Sequence, residues 1–278
     1  LIGSFASGKG TIAGKAERLA AKGEIMNDMG SPSVAGQAPG LTQWQRVADT
    51  FSAPSKTFDD IKSGNKSWWM PFVITVLVGY VFFAAITLKI GWSQVAENAI
   101  HLDPKAEARL AQAPESARES GMKFTQYAME GALAASPALV LLFGVIIVVV
   151  VWGTINFAFG GKATFSAVFA VWMYASLPGM IKALLGTVVI FAGLAPESFN
   201  LSNPAPTSVG AFVSLQDVGA ALYKLATALD FTTIWYLVLF SMGTATVAGV
   251  RRSSGYIVVF GWWALIVLVG VAFAAIRG

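Results

Sequence analysis

Between Glu130 and Lys162 the chain carries no charged residue, and from Leu139 to Trp152 every position but Gly144 is a hydrophobic side chain. A helix needs roughly 20 apolar residues to cross the hydrocarbon core of a bilayer. A globular core buries one stripe of a helix, so a run that is apolar on every side belongs to a membrane span. The rest of the chain is ordered around it, with one span before, three after, and polar segments between.

Composition agrees. Hydrophobic residues make up 55% of the chain and charged residues 12%, whereas a soluble domain carries about a quarter charged. The net charge of +4 comes from basic residues that are scattered or sit at membrane edges. That pattern suits anionic lipid head groups and gives no reason to expect nucleic acid. There is no cysteine and His101 is the sole histidine, which excludes disulfides, thiolate metal sites, cysteine nucleophiles and His-based metal clusters. The sequence opens on Leu1 rather than Met, which leaves room for residues upstream, and no signal-peptide pattern precedes the first span.

Residues 1–40 read as a flexible tail and linker. Gly3 to Thr11 resembles a phosphate-binding loop, but Gly10 stands where the Mg²⁺-binding Ser or Thr belongs and no apolar strand leads into it. No nucleotide or other cofactor is expected. Thr11 to Met29 suits a weak helix, followed by linker. Residues 41–67 then read as two short amphipathic helices. Thr42 and Gln45 fit a capping box, with Trp44, Val47 and Phe51 on one face; Pro54 starts the second helix, with Phe58 and Ile61 on its apolar side. Lys56, Lys62 and Lys66 lie just before the first span. Two arrangements suit this segment equally: lying on the cytoplasmic membrane surface, or packing on the protein's own membrane domain.

Residues 68–278 are expected to form a membrane domain with spans near 68–92, 134–158, 163–190, 231–250 and 256–276. Trp68, Trp69 and Trp92 would mark the two interfaces of the first span. In the polar stretch 93–130, Asp103-Pro104 and Pro114 start helices, and Glu115–Arg118 and Glu119–Lys123 have the spacing of helical pairs. The carboxylates there read as a solvated face, and His101 has no apparent partner. Gly160-Gly161-Lys162 is a tight turn, and Pro178-Gly179 breaks the long third segment. Lys182 falls near the far interface, where it can snorkel or meet a structural partner. After a loop rich in proline comes a helix with Leu215, Val218, Leu222 and Leu225 on one face, and Asp230 is the expected N-cap of the fourth span. Glycines at 79, 144, 153, 243, 249, 261 and 270 would let helices approach closely. Lys56, Lys62, Lys66, Lys162, Arg251 and Arg252 collect on one side. The first loop on the other side holds more basic residues, but Lys105, Arg109 and Arg118 there are balanced by nearby acids, and a cytoplasmic N-terminus is expected.

Several stretches resemble the bacterial Yip1 family of integral membrane proteins. They are Phe51 to Ile61 followed by Trp68 to Phe72, Gly160 to Phe165 followed by Tyr174 to Pro178, and Asp230 to Trp235 followed by Gly261 to Trp263. The likeness covers about residues 45–276. It implies a helical five-span domain with a cytoplasmic N-terminus, in a bacterial plasma membrane. Eukaryotic members associate with Rab-type GTPases and act in membrane traffic and shaping. They carry an Asp-Leu-Tyr-Gly-Pro-like element before the first span; this chain has none, which leaves GTPase binding doubtful.

The fold expected is all-α and polytopic, about five spans with short interfacial helices. The function expected is non-enzymatic: a membrane organiser or accessory subunit that binds protein partners, lipids or a second copy of itself. Candidate docking residues are Trp44, Phe51, Lys56, Phe58, Ile61, Lys62 and Lys66; candidate polar residues of the membrane domain are Asn156, Lys182 and Asp230. The alternative is a small transporter or channel, which would use ionisable groups at membrane depth. An intramembrane enzyme is the poorer fit, since His-Glu-x-x-His, Gly-x-Ser-x-Gly and paired intramembrane carboxylates are all absent from the sequence.

Overall fold

A computed structural model describes residues 40–277; the tail before them, with the glycine-rich stretch around Lys9 and the helix expected from Thr11 to Met29, lies outside. Most of the described residues are helical, with no strand among them. In order they form α1 (Gln43–Ser52), α2 (Pro54–Lys62), α3 (Trp69–Lys89), α4 (Trp92–His101), α5 (Pro104–Gln112) and α6 (Glu115–Ala134). Then follow α7 (Ser136–Phe157), α8 (Phe165–Ala175), α9 (Gly179–Phe191), α10 (Leu215–Ala228), α11 (Phe231–Ala248) and α12 (Arg252–Arg277). Two 3-10 turns, Pro196–Ser198 and Val209–Phe212, interrupt the loop before α10. Five helical segments are long and apolar enough to cross a membrane: α3, α7, α8 with α9, α11 and α12.

The breaks fall where the backbone must change partners. Pro178 splits the third segment into α8 and α9. A second break, at Ala135, separates α6 from α7, because Pro137 in the first turn of α7 has no N–H to continue the ladder. The Tyr80 hydroxyl of α3 donates to the Ala134 carbonyl (3.1 Å), one of those left over there. The last turn of α11 closes on Gly249 in the left-handed region (φ 69°). The chain then doubles back into α12.

The centre of the bundle is α8 rather than the more apolar α7. Every residue from Ala167 to Ala175 is buried. Around α8 gather Phe58 and Ile61 of α2, Val148 and Ile155 of α7, and Leu237 and Phe240 of α11. By contrast α7 turns Leu142, Phe143, Ile146 and Val149 outward. A smaller cluster at the other end joins Phe82 and Ile86 of α3, Trp92 and Val95 of α4, Ile190 of α9 and Phe199. Two of the glycines expected to admit a neighbour do so: the Trp172 ring lies over Gly144, and Val171 and Phe58 press on Gly243. Gly153 and Gly261 face open space. The closest backbone approach belongs to Gly255 of α12, which faces the Ser241 carbonyl oxygen of α11.

Three local expectations are corrected. Trp92 is not an interface residue: α3 ends at Lys89, Gly91 (φ 83°) turns the chain, and Trp92 is buried with its indole N–H on the Thr87 hydroxyl (2.9 Å). Arg118 does not pair with Glu115, because its guanidinium donates to the carbonyls of Ala111 and Ala113 at the end of α5. His101 does have a partner, with Nδ1 lying 2.7 Å from Glu107 Oε1 on the exposed side of α4.

These contacts set unequal costs for two glycines on one helix. A Cβ on Gly255 would meet backbone that has no rotamer to yield, whereas one on Gly261 meets nothing within 4 Å. Gly255→Ala is expected to destabilise the detergent-solubilised protein by about 1–3 kcal/mol, the usual cost of overpacking. Gly261→Ala should be neutral or slightly stabilising through helix propensity. Thermal unfolding of the two variants side by side checks the ranking, and equal melting would refute the α11–α12 contact.

Candidate functional site

The expected docking residues lie on and just after α1–α2, whose conformation is fixed by a charged residue facing inward. Thr42 and Gln45 form the capping box that starts α1. This sets Arg46, Thr50 and their neighbours on the face turned to the protein, where Arg46 is wholly buried. Its guanidinium donates to Asn65 Oδ1 (3.1 Å) and to the Asn65 carbonyl (2.8 Å), and lies over the Tyr174 ring at 4.5 Å. Nε sits 3.3 Å from Asp60 Oδ2, near enough to pair as ions, though its N–H is not aimed at the carboxylate. Asp60 in turn accepts from the Leu41 N–H (3.1 Å) and the Asn65 amide (2.9 Å). Burial lowers the Arg46 pKa, and Tyr174 and Asp60 partly offset it. Finally, Tyr174 donates to Gln43 Oε1 (2.8 Å), so both ends of the segment are tied to each other and to α8.

This arrangement divides the expected docking residues. Phe58 and Ile61 are fully buried in the main core and cannot meet a partner, because the apolar face of α2 is spent on α8 and α11. Phe51 stands at the edge of the surface, edge-on to Trp235 at 5.7 Å. Trp44 is 67% exposed, Lys56 and Lys62 are exposed, and Lys66 is half-buried. Phe58 meets α11 at Gly243 and Phe51 meets it at Trp235. Those positions are eight residues, roughly 12 Å, apart along the helix. The α1–α2 hairpin therefore runs along the flank of α11 instead of lying across the end of the bundle.

The polar candidates of the membrane domain each bond to other parts of the chain. Asn156 closes the turn between α7 and α8: its Oδ1 accepts the Ala163 N–H (3.0 Å) and its Nδ2 donates to the Ala163 carbonyl (2.9 Å). Lys182 and Asp230, 48 residues apart, form an ion pair at 3.1 Å. Asp230 caps α11 through the Thr233 N–H (3.1 Å) and also accepts the hydroxyls of Thr207 and Thr232, each at 2.6 Å. Burial works to raise its pKa, but the Thr207, Thr232, Thr233 and Lys182 donors outweigh that and hold it down to about 2. Asn156 lies by the Lys162 turn, away from this pair, so the three do not form one site. Sequence reasoning missed Arg46, Asp60, Asn65, Tyr174 and Thr207. The available signal was Arg46 and Thr50 together on the side of α1 opposite the Trp44 stripe. Among the described residues, no group of three or more His, Cys, Asp or Glu could hold a metal ion.

The description "Yip1 domain" belongs to the family model that matches this chain, over residues 48–274. The chain belongs to the Yip1 domain family. No curated protein and no solved structure matches it. The Yip1 match takes in α2, all five apolar segments and the Lys182–Asp230 pair. Arg46 stands two residues before it, although Asp60, its partner, lies inside.

The saturation of Asp230 ranks two substitutions. Lys182→Met leaves three donors on the carboxylate and is expected to cost little. Asp230→Ala removes the cap of α11 and strands Lys182 and both hydroxyls, a loss on the order of 3 kcal/mol. Because the folded pKa is depressed, this stabilisation is complete above the unfolded value near 4 and fades as pH falls toward about 2. Melting curves of both variants at neutral pH decide the matter: a larger loss for Lys182→Met would mean that the lysine, not the cap, holds this corner.

Proposed function

We propose that this Yip1-family membrane protein is a non-enzymatic membrane organiser or accessory subunit, and that α1–α2 presents Trp44, Phe51, Lys56 and Lys62 to a protein partner or to lipid. Supporting this is the contrast between the two faces of α1–α2. The inner face is locked by Arg46, Asp60 and Tyr174, while the outer face leaves a tryptophan 67% exposed beside free lysines. A rigid platform of this kind loses little entropy when it binds, which is how preorganisation raises affinity. The basic residues Lys56, Lys62, Lys66, Lys162, Arg251 and Arg252 support a cytoplasmic N-terminus, and the Yip1 resemblance implies a bacterial plasma membrane. Each cation near an anionic surface contributes about 1 kcal/mol.

A small transporter or channel is the second reading, favoured by the Lys182–Asp230 pair. Against it, the carboxylate is already occupied by four donors, and its low pKa suits a permanent anion rather than a group that trades protons.

Deleting residues 41–67 would be a poor test, since it would uncover the core around Phe58 and Ile61. Point changes on the outer face are cleaner. Trp44→Ser combined with Lys56→Glu and Lys62→Glu should abolish stoichiometric co-purification of a partner from gently extracted membranes and leave melting unchanged. Unchanged co-purification would move binding to the spans. Solute flux through the reconstituted wild-type protein would replace this reading with the transporter.

A further inference from the structure

The stretch from Val209 to Leu229 is amphipathic in the reverse sense of a helix covering a soluble core. Its large apolar side chains point outward: Phe212 is 78% exposed, Leu222 58%, Val209 49%, Leu229 43% and Leu225 38%. Two of its uncharged polar side chains, Tyr223 and Thr227, face the protein. The Tyr223 hydroxyl accepts from the Asn200 amide (3.3 Å), and Thr227 presses on Gly210. Beyond the kink at Gly219 (φ 74°), Leu222, Leu225 and Leu229 recur at i, i+3 and i+7 and form one stripe. A helix in water would rotate this stripe toward the protein.

Position along the bundle explains why it does not. α10 packs beside α12, and the Lys224 stem lies against Gly270, less than two turns before Ile276. At that level α12 is itself apolar and exposed, with Val269, Phe273 and Ile276 outward. The outward stripe of α10 is thus continuous with the surface that α12 turns to the acyl chains. Lys224, also exposed, falls about 200° around the helix from Leu222, and Asp217 is exposed just before the Gly219 kink. Three faces of one helix therefore meet three environments: protein, hydrocarbon and head groups. That is the division expected of a helix lying in the plane of the interface.

We infer that α10, with the Val209–Phe212 turn before it, is embedded in the leaflet that receives the C-terminal end of α12, with lipid acyl chains covering Phe212, Leu222 and Leu225. It is an additional membrane element beyond the five crossing segments, too short to span. The lipid contact holds whether or not α1–α2 recruits a partner, so the two ideas stand or fall separately.

The cysteine-free chain allows a direct measurement on the full-length protein. Single cysteines are introduced as Phe212→Cys, Leu222→Cys, Leu225→Cys and, on the charged side, Asp217→Cys. Each is labelled with bimane and reconstituted in phosphatidylcholine–phosphatidylglycerol vesicles. The first three labels should be quenched by brominated acyl chains and shielded from aqueous iodide; the label at 217 should show the reverse ranking. Iodide quenching at 222 and 225 equal to that at 217 would put the stripe in water and overturn the inference. Protection from both quenchers would overturn it in favour of a covering protein, including a second copy. The substituted side chains are largely exposed, so unfolding is not expected; melting curves verify this, and Val209→Cys on the same face replaces any variant that fails.

Discussion

Lipid chains are as apolar as leucine, so nothing pushes these helices together in the way water pushes a soluble core. What remains is close van der Waals contact and the obligation to satisfy every polar group away from water. Both constraints converge on α8. Its small residues Ala167, Ala170 and Ala175 are among nine consecutive buried positions, and Trp172 fills the notch above Gly144 on α7. On the other side, Gly243 lets α11 approach Val171 while Phe58 of α2 fits into the same gap. A short helix buried on all sides thereby links α2, α7 and α11, whereas α7 and α12 supply most of the lipid-facing surface.

The second constraint explains where charge is tolerated. Two inward carboxylates sit at or near the ends of helices, where they accept from backbone N–H groups. Asp230 satisfies the first turn of α11 and gathers Lys182, Thr207 and Thr232 as it does so. Asp60, near the end of α2, holds the Leu41 N–H and Asn65 in place. Taking away the carboxylate strands every donor it holds and costs more than the pair itself contributes, whereas loss of Lys182 leaves Asp230 with three other donors. The value of the pair is in register: Lys182 fixes the start of α11, at Asp230, against α9.

Much of this fold was legible in the chain. Charge-free runs locate five apolar segments, and Pro54, Pro178 and Asp230 mark helix starts or breaks that the structure contains. Periodicity says that a face is covered but not by what. For that reason Phe58 and Ile61 read as a docking stripe although they belong to the core, and nothing in the spacing of Leu222 and Leu225 says that they point outward. Pairings distant in sequence were also invisible. Nothing local to Lys182 points to Asp230, and nothing local to Arg46 points to Tyr174. Composition misplaced the centre as well, because the most apolar helix, α7, keeps most of its surface exposed while every residue from Ala167 to Ala175 of α8 is buried.

The membership of the α1–α2 network has a consequence for how that segment is held. Leu41, Arg46, Asp60 and Asn65 all lie within the segment itself, and the Thr50 and Thr57 hydroxyls both donate to the Arg46 carbonyl. Polar contacts thus define the hairpin's own shape, and only the Gln43–Tyr174 hydrogen bond and the Arg46–Tyr174 stacking carry polar attraction across to α8. Seating depends instead on Phe58 and Ile61, whose contacts are apolar and indifferent to charge. A hairpin shaped by its own polar bonds and seated by apolar ones keeps its form under changes of salt or surface charge. Its outer lysines are then free to respond to a charged surface without disturbing the core beneath them.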